Sequence, residues 1–156
     1  MKIIKTLTTK AIYFDMDGTI ANLYAVLNWL PMLRAEDTTP YTMAVPMVKM
    51  NVLARLLNTL KAQGWTIGIV SWTAKNGTVE YNERVAKAKK EWLKKHLASV
   101  EFDEIIIVPY GTPKETVVNK PLGILFDDEE HNRNNWKGTA FDVQNIIEVI
   151  KEVRAI

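Results

Sequence analysis

Four short apolar runs along the chain lack polar alternation, which is typical of strands buried on both faces of a sheet. They are Ala11–Phe14, Trp65–Val70, Glu104–Val108 and Gly123–Phe126. Apolar residues recur at helical spacing in three other segments, 48–62, 80–96 and 143–153. Because strands that alternate with helices form parallel sheets covered on both faces, the pattern predicts an α/β fold. We expect a doubly wound, Rossmann-like parallel sheet.

Residues 22–47 do not follow this alternation. The segment comes soon after the first run and contains WLPML at 29–33 and the polar stretch AEDTTPYT at 35–42. A connection of this length inside a compact domain is usually functional or forms an extra substructure. We expect one domain over residues 1–156 with a small lid inserted at about 22–47. The alternative is a packing excursion on the surface.

Composition narrows the class of protein. The chain has 156 residues, no cysteine, 20 Lys+Arg and 18 Asp+Glu. The length fits one domain. The lack of cysteine excludes a disulfide scaffold, Cys-ligated zinc, an iron–sulfur cluster and thiol catalysis. A net charge of +2 gives no general case for nucleic-acid binding. No apolar stretch is long enough to span a membrane, so we expect a soluble, cytoplasmic protein.

Two aspartates follow the first apolar run directly. Asp15 and Asp17 are two residues apart in an extended segment, so their side chains project in the same direction. Gly18 then allows a sharp turn and a close approach to a ligand. Because adjacent carboxylates repel unless a cation or a shared proton compensates, the pair indicates a cation site. Mg²⁺ is bound by one or two carboxylates and keeps several waters, so it fits this pair.

Polar side chains also follow the second and fourth runs. Ser71-Trp72-Thr73 follows the second, and hydroxyl and backbone N–H groups at a strand end can bind phosphate oxygens. Asp127 and Asp128 open the acidic sequence DDEE after the fourth run. Because open α/β sheets bind ligands at the carboxyl ends of their strands, we expect these groups and Asp15 to form one site.

Carboxylates near a phosphate require a further cation, and lysine supplies a point charge. Lys114 and Lys120 both precede the fourth run. We favour Lys114 because it follows the turn-like sequence GTP, which would present it at a strand edge. Lys120 stays as the alternative.

Together these motifs resemble the haloacid dehalogenase-like phosphohydrolase superfamily. FDMDGTIANLY is similar to its first motif, IVSWTA to its second, a lysine to its third and ILFDDEEHN to its fourth. The resemblance spans roughly residues 10 to 150 in the expected order. The short lid and DMDGTIANLY look most like the 5′-nucleotidase, deoxyribonucleotidase-like branch and its small phage and bacterial relatives. The resemblance implies a Mg²⁺-dependent phosphatase, with a nucleotide as the best substrate guess.

The resemblance also implies catalytic roles. Asp15 would be the nucleophile that forms an aspartyl-phosphate. Asp17 would be the general acid toward the leaving oxygen and then the base for the attacking water. Ser71 would bind the transferring phosphoryl group, and Lys114, or else Lys120, would neutralise Asp15 and the phosphate.

The same resemblance implies a metal shell and a phosphate site. Asp128, supported by Asp127, would complete the Mg²⁺ shell with Asp15 and the backbone carbonyl of Asp17. The residues expected at the phosphate or substrate are Gly18, Thr19, Ser71, Trp72, Thr73 and Lys114. The lid has about half the length expected for the larger nucleotidases, so base-recognising residues are not transferred.

Apolar and aromatic residues in the lid have two interpretations. Trp29, Met32, Tyr41 and Met43 could form a wall for a nucleobase, or they could bury the lid against the core. Trp72 likewise could flank the mouth of the pocket or lie in the core.

The helix predicted over 80–96 supports a different class of function. It carries six cations, Arg84, Lys87, Lys89, Lys90, Lys94 and Lys95, which could contact nucleic-acid phosphates. The protein would then be a polynucleotide-end (3′) phosphatase or a nucleic-acid-binding protein. Because Glu83 and Glu91 interrupt the run, a solvated face is favoured. A non-catalytic scaffold is disfavoured because the motif aspartates are all present, and no role is predicted for His96 or His131.

Overall fold

The computed structural model of the protein describes residues 9–155, and its centre is a parallel five-stranded sheet. The strands are β1 (Ala11–Phe14), β2 (Thr66–Trp72), β3 (Glu104–Val108), β4 (Ile124–Phe126) and β5 (Thr139–Phe141). Their order across the sheet is β3-β2-β1-β4-β5. The predicted α/β, doubly wound parallel sheet is therefore confirmed.

Helices connect the strands and cover the sheet. They are α1 (Trp29–Arg34), α2 (Thr39–Met43), α3 (Met50–Ala62), α4 (Val79–His96), α5 (Glu130–Asn135) and α6 (Ile146–Arg154). Three-residue 3-10 turns lie at Leu23–Ala25, Lys114–Thr116 and Val143–Asn145. The helix predicted from residue 143 therefore begins as a 3-10 turn and becomes α-helical at Ile146.

The two faces of the sheet carry different cores. One face packs against α3, α6 and the C-terminal half of α4 through Ile12, Phe14, Ile67, Ile69, Ile124 and Phe126. The other face packs against Val118 and Trp136 through Ala11, Tyr13, Val70 and Leu125. Because β1, β2 and β4 are buried on both sides, their sequences are continuous apolar runs.

Local sequence signals explain where the long helices start and stop. Gly64, two residues after the end of α3, has a φ of 88°, which a glycine adopts without strain. Thr78 precedes α4, and its hydroxyl accepts a hydrogen bond from the backbone N–H of Tyr81 at 3.1 Å. Lysines in the last turn of α4 complement the helix dipole.

Residues 22–47, which we call the insertion, contain α1 and α2 and lie against α4. The N–H and hydroxyl of Thr78 donate to the carboxylate of Glu36, the hydroxyl at 2.7 Å. Tyr81 donates to the backbone oxygen of Asp37 at 2.9 Å, and the indole of Trp92 donates to that of Ala44 at 2.7 Å. These bonds fix both helices of the insertion to one face of α4.

Outside the insertion, β5 and α5 were not predicted. Strand β5 has three half-buried residues, and α5 has six residues that begin inside the acidic sequence DDEE. Elements this short contain too few residues to show a period. Within residues 9–155, no helix combines the length and the apolarity that crossing a bilayer requires.

Candidate active site

The carboxyl ends of β1 and β4 bring two aspartates to the same level of the sheet. Phe14 pairs with Phe126, so Asp15 and Asp127 both follow directly after a paired position. The N–H of Asp15 donates to the carbonyl of Phe126 at 2.9 Å, which continues the ladder. The order of the strands reverses at β1, and ligands of open α/β sheets bind where such a reversal occurs.

Lys114 lies between these two aspartates. Its ammonium donates to Asp15 Oδ1 at 2.9 Å and to Asp127 Oδ2 at 2.7 Å, and the residue is 3% exposed. Burial opposes the charge, but the charges of Asp15 and Asp127 raise the pKa of Lys114 above its ordinary value. Lys120 instead donates to the hydroxyl of Thr66, the first residue of β2, so it lies at the other end of the sheet. The structure therefore brings Lys114, and not Lys120, to the acids.

Two residues of the first motif hold the acids in place. Gly18 has a φ of 77°, and a Cβ there would collide with the carboxylate of Asp128. The hydroxyl of Thr19 donates to Asp15 Oδ2 at 3.1 Å and accepts from the N–H of Asp128 at 3.2 Å. Thr19 is fully buried, so in this structure it bridges two acids. The close approach expected at Gly18 is made by Asp128.

Three carboxylates form a group that fits a hard cation. One oxygen from each of Asp15, Asp127 and Asp128 lies within 4.8 Å of the others. Burial, followed by the negative charge of Asp15, raises the pKa of Asp127 to about 6 and that of Asp128 to about 8. A raised pKa means that the negative charge of a carboxylate is disfavoured at its position. A bound divalent cation would compensate that charge.

Asp127 is fixed from several sides. Its Oδ1 accepts the N–H of Glu129 at 2.9 Å, and its Oδ2 accepts from Lys114 and, at 3.1 Å, from the side chain of Asn132. Asn132 was part of the fourth motif in the sequence but had no predicted role. In the structure Asn132 lies on α5, directly after the acids, and its side chain holds the carboxylate of Asp127.

The carboxylate of Asp17 turns away from the three-acid group toward α4. Its Oδ2 accepts a hydrogen bond from Lys89 at 2.8 Å. Burial raises the pKa of Asp17, the Lys89 charge lowers it, and the Asp15 charge raises it, with a net upward shift. The group of Asp17 that the family resemblance implies for a metal shell is its backbone carbonyl, and that role stays a prediction.

Lys89 is the residue that sequence reasoning missed. It was counted among the cations of a solvated helix, but it is 1% exposed. The apolar stripe of α4 gave the available signal, since Lys89 lies next to Ala88 and one turn from Val85 and Trp92, which are all buried. The five other cations of α4 are exposed.

The second motif divides its hydroxyls between two environments. Ser71 is fully buried and accepts a hydrogen bond from Lys89 at 2.8 Å. Thr73 lines a cavity, and its buried hydroxyl has no hydrogen-bond partner among the described residues. Trp72 lines the same cavity, so of its two interpretations the structure supports the position at the pocket.

The cavity lies between the acids and the insertion and has a volume of about 650 Å³. Asp15, Asp17, Lys114, Asp127 and Asp128 lie on one side of the lining. Its other walls include Leu23, Tyr24, Trp29, Leu33, Tyr41, Trp72 and Tyr110. The rings of Tyr24 and Trp29 pack edge to face at 4.9 Å. Of the four lid residues singled out from the sequence, Trp29 and Tyr41 line this cavity, whereas Met43 is 63% exposed.

Neither histidine lies in the lining of this cavity. His96 packs on the ring of Trp92 at 4.4 Å, and exposed His131 contacts the side-chain amide of Asn135.

No protein-family model matches the chain, and no curated protein matches it either. Among solved structures, it is similar to D,D-heptose 1,7-bisphosphate phosphatase from B. bronchiseptica, complexed with magnesium and phosphate. The TM-score is 0.52 at 13% identity, over 85% of this chain and 78% of that chain. The enzyme of the same name from Burkholderia thailandensis gives a TM-score of 0.47 at 11% identity, over 81% and 70%.

At 13% identity, the similarity to the B. bronchiseptica structure shows a shared fold. The fold expected from the four motifs is therefore the fold of a known phosphatase. The B. bronchiseptica structure is a heptose bisphosphate phosphatase, so the predicted nucleotidase branch stays a prediction.

Proposed function

We propose that the protein is a Mg²⁺-dependent phosphomonoester hydrolase of the haloacid dehalogenase-like superfamily. One observation carries the proposal: Asp15 lies at the carboxyl end of the central strand, paired with Lys114 and facing a cavity lined also by Asp17 and Asp128. The similar fold of a phosphatase complexed with magnesium and phosphate supports it. The wider group of acids and the lysine match the superfamily's motifs in order.

In the first half of the reaction, an oxygen of Asp15 attacks phosphorus and forms an aspartyl-phosphate. The bond from phosphorus to the ester oxygen breaks, and that oxygen takes a proton from Asp17. Burial helps Asp17 to hold this proton, because it raises the pKa of the carboxyl. Lys114, which donates to Asp15, limits the charge that builds up around the incoming phosphate.

In the second half, a water molecule attacks phosphorus and gives its proton to Asp17. The bond from phosphorus to Asp15 breaks, inorganic phosphate leaves, and both aspartates regain their starting states. Among the hydroxyls of the second motif, we assign the phosphate contact to Thr73, because it lines the cavity with an unused hydroxyl. Ser71 is fully buried and does not line the cavity.

Asp15, Asp127 and Asp128 would hold the Mg²⁺ ion, since their oxygens lie close enough together and, within residues 9–155, Lys114 is the cation that pairs with Asp15 and Asp127. A bound Mg²⁺ ion would neutralise charge on the phosphoryl oxygens and orient the group for in-line attack. Lys114 donates to Asp15 and to Asp127. Asp128 is the acid of the three to which it does not donate.

Mg²⁺ is expected to raise the melting temperature, and more at pH 8 than at pH 5. Folding raises the pKa of Asp127 from 3.8 to about 6 and that of Asp128 from 3.8 to about 8. Between these pKa values of the unfolded and folded states, the folded state binds more protons than the unfolded state. Without metal, stability therefore falls as the pH rises from about 4 to about 8. Thermal unfolding with Mg²⁺ or EDTA at both pH values measures this. An Asp128→Asn protein should lose most of the shift, and a melting temperature unaffected by Mg²⁺ would contradict the metal site.

We propose a nucleoside monophosphate as the substrate. A phosphate group fills only part of a cavity of about 650 Å³, and aromatic faces bind the π-surface of a base. Trp29 belongs to the insertion and lines the same cavity as Asp15, so one cavity offers an aromatic ring for a base and an acid for the phosphate. Phosphate release from deoxy- and ribonucleoside monophosphates, sugar phosphates and a 3′-phosphorylated oligonucleotide, with Mg²⁺ or EDTA, tests both proposals. Release from sugar phosphates alone would retain the phosphatase and refute the nucleotide.

Replacing Trp29 with alanine is expected to raise KM for the nucleotide and to leave kcat nearly unchanged. Stacking of a base on an aromatic ring contributes about 1–3 kcal/mol, which is roughly a 5- to 150-fold change in binding. Met43→Ala is the matched control, because Met43 lies on the same insertion but is 63% exposed. Equal KM values for Trp29→Ala and the wild type would place the base elsewhere.

A further inference from the structure

Lys89 makes a set of contacts that the reaction above does not yet use. It is 1% exposed, although lysine is almost never fully buried unless it is paired. Its ammonium has three N–H donors. They reach Asp17 Oδ2 at 2.8 Å, Ser71 Oγ at 2.8 Å and the backbone oxygen of Trp72 at 2.7 Å. Three acceptors for three donors hold the ammonium in one orientation.

The acceptors of Lys89 come from separate parts of the chain. Asp17 lies in the turn after β1, and Ser71 and Trp72 end β2. The ammonium also lies over the ring of Tyr41, 5.2 Å from its centre, and Tyr41 belongs to the insertion. Lys89 thus fixes the Asp17 carboxylate relative to the sheet and the insertion.

We propose that Lys89 is a positioning residue that orients the carboxyl of Asp17 for protonating the leaving oxygen, an inference that rests on the proposed phosphatase function. Lys89 occupies Oδ2, so the proton is carried on Oδ1, and Asp17 lines the cavity. As the bond between Asp15 and phosphorus forms and the ester bond breaks, this proton passes from Oδ1 to the ester oxygen.

The simpler role for Lys89 is a buried ion pair that serves the fold alone. Such pairs contribute little more stability than apolar residues of similar size. The two roles differ in what they change. A purely structural role alters turnover of all esters alike, whereas a positioning role affects only esters whose leaving group needs a proton.

The experiment compares Lys89→Met with the wild type on two esters that both carry an aromatic ring. The p-nitrophenolate of p-nitrophenyl phosphate leaves without a proton, and the alkoxide of benzyl phosphate needs one. General acid catalysis contributes about 10²–10⁴-fold. We therefore expect kcat/KM to fall by at least about 100-fold for benzyl phosphate and by less than about tenfold for p-nitrophenyl phosphate. Because kcat/KM covers only the steps up to the first irreversible one, hydrolysis of the aspartyl-phosphate does not enter.

Two further variants calibrate the comparison. Lys90→Met removes an exposed charge from the next position of α4, so both rates should stay at the wild-type value. Asp17→Asn removes the acid itself and should show the same difference between the esters as Lys89→Met. Equal losses on both esters in Lys89→Met, or no loss on either, would overturn the positioning role.

If the Lys89→Met protein does not fold, a second variant, Lys89→Gln, replaces it in the comparison. Lys89→Gln is shorter and carries two N–H donors instead of three, so it cannot hold Asp17 together with Ser71 and Trp72, and the same difference between the two esters is required of it. If the wild type hydrolyses neither ester with Mg²⁺, the phosphatase proposal is decided by the panel of nucleotides, sugar phosphates and oligonucleotide described above. The contact is then tested by the melting temperatures of Lys89→Met, Asp17→Asn and the double variant. A double loss smaller than the sum of the single losses supports the contact, and an additive loss overturns it.

Discussion

Asp15→Asn is expected to reduce phosphate release by about 10⁶-fold, the scale seen when an enzyme loses its nucleophile. The amide cannot attack phosphorus to form the aspartyl-phosphate. The fold should persist, because Lys114 keeps its bond to Asp127 and Thr19 can donate to the amide oxygen of the substituted side chain as it does to Asp15. Phosphate release under saturating Mg²⁺, with circular dichroism to confirm folding, measures the effect.

The control for this substitution is Asp37→Asn. Asp37 is exposed on the insertion, and its carboxylate accepts only from Thr39 among the described residues, which an asparagine oxygen can also do. Its rate should stay at the wild-type value. A folded Asp15→Asn protein that releases phosphate at the wild-type rate would refute Asp15 as the nucleophile.

Lys114→Met is expected to lower both activity and stability. Breaking a buried ion pair by removing one partner costs about 3–5 kcal/mol, because the other charge stays buried and unpaired. Here two carboxylates, Asp15 and Asp127, lose their common cation. Urea unfolding in EDTA measures the loss. Added Mg²⁺ should restore part of it, since the ion supplies charge to the same carboxylates.

Lys120→Met separates the two lysines that the sequence left open. The ammonium of Lys120 bonds the exposed hydroxyl of Thr66, so its loss should change the free energy of unfolding by less than about 0.5 kcal/mol. Phosphate release should also be unaffected. If Lys120→Met were the inactive variant, the assignment of the third motif to Lys114 would be wrong.

The sheet and the acids could be predicted because they have a direct sequence signal. Strands buried on both faces are apolar runs, and the residue after each run lies at the carboxyl edge. Asp15 and Asp127 therefore converge for a reason that the sequence states, whereas after the second run the predicted phosphate contact was Ser71 and the hydroxyl that lines the cavity is that of Thr73. The choice of Lys114 over Lys120 depended on a turn motif, and the structure brings Lys114 to the acids.

The contacts of Lys89 could not be predicted in the same way. A lysine on a helix with exposed lysines on either side is ordinarily solvated, and only the packing of α4 against β2 turns this one inward. The two helices of the insertion, α1 and α2, could not be predicted from the sequence either. Helix α1 has six residues and α2 has five, and their stability comes from tertiary contacts with α4 rather than from their own sequence.

Helix α4 contacts two parts of the cavity lining, the insertion and Asp17. The N-terminal turns of α4 hold the insertion through Thr78 and Tyr81, and three turns later Lys89 holds Asp17 beneath it. The same helix therefore sets the position of the insertion and the position of the Asp17 carboxylate. A substitution that shifted the insertion along α4 would change its spacing from Asp17, whereas an exchange of side chains on the insertion would leave that spacing unchanged.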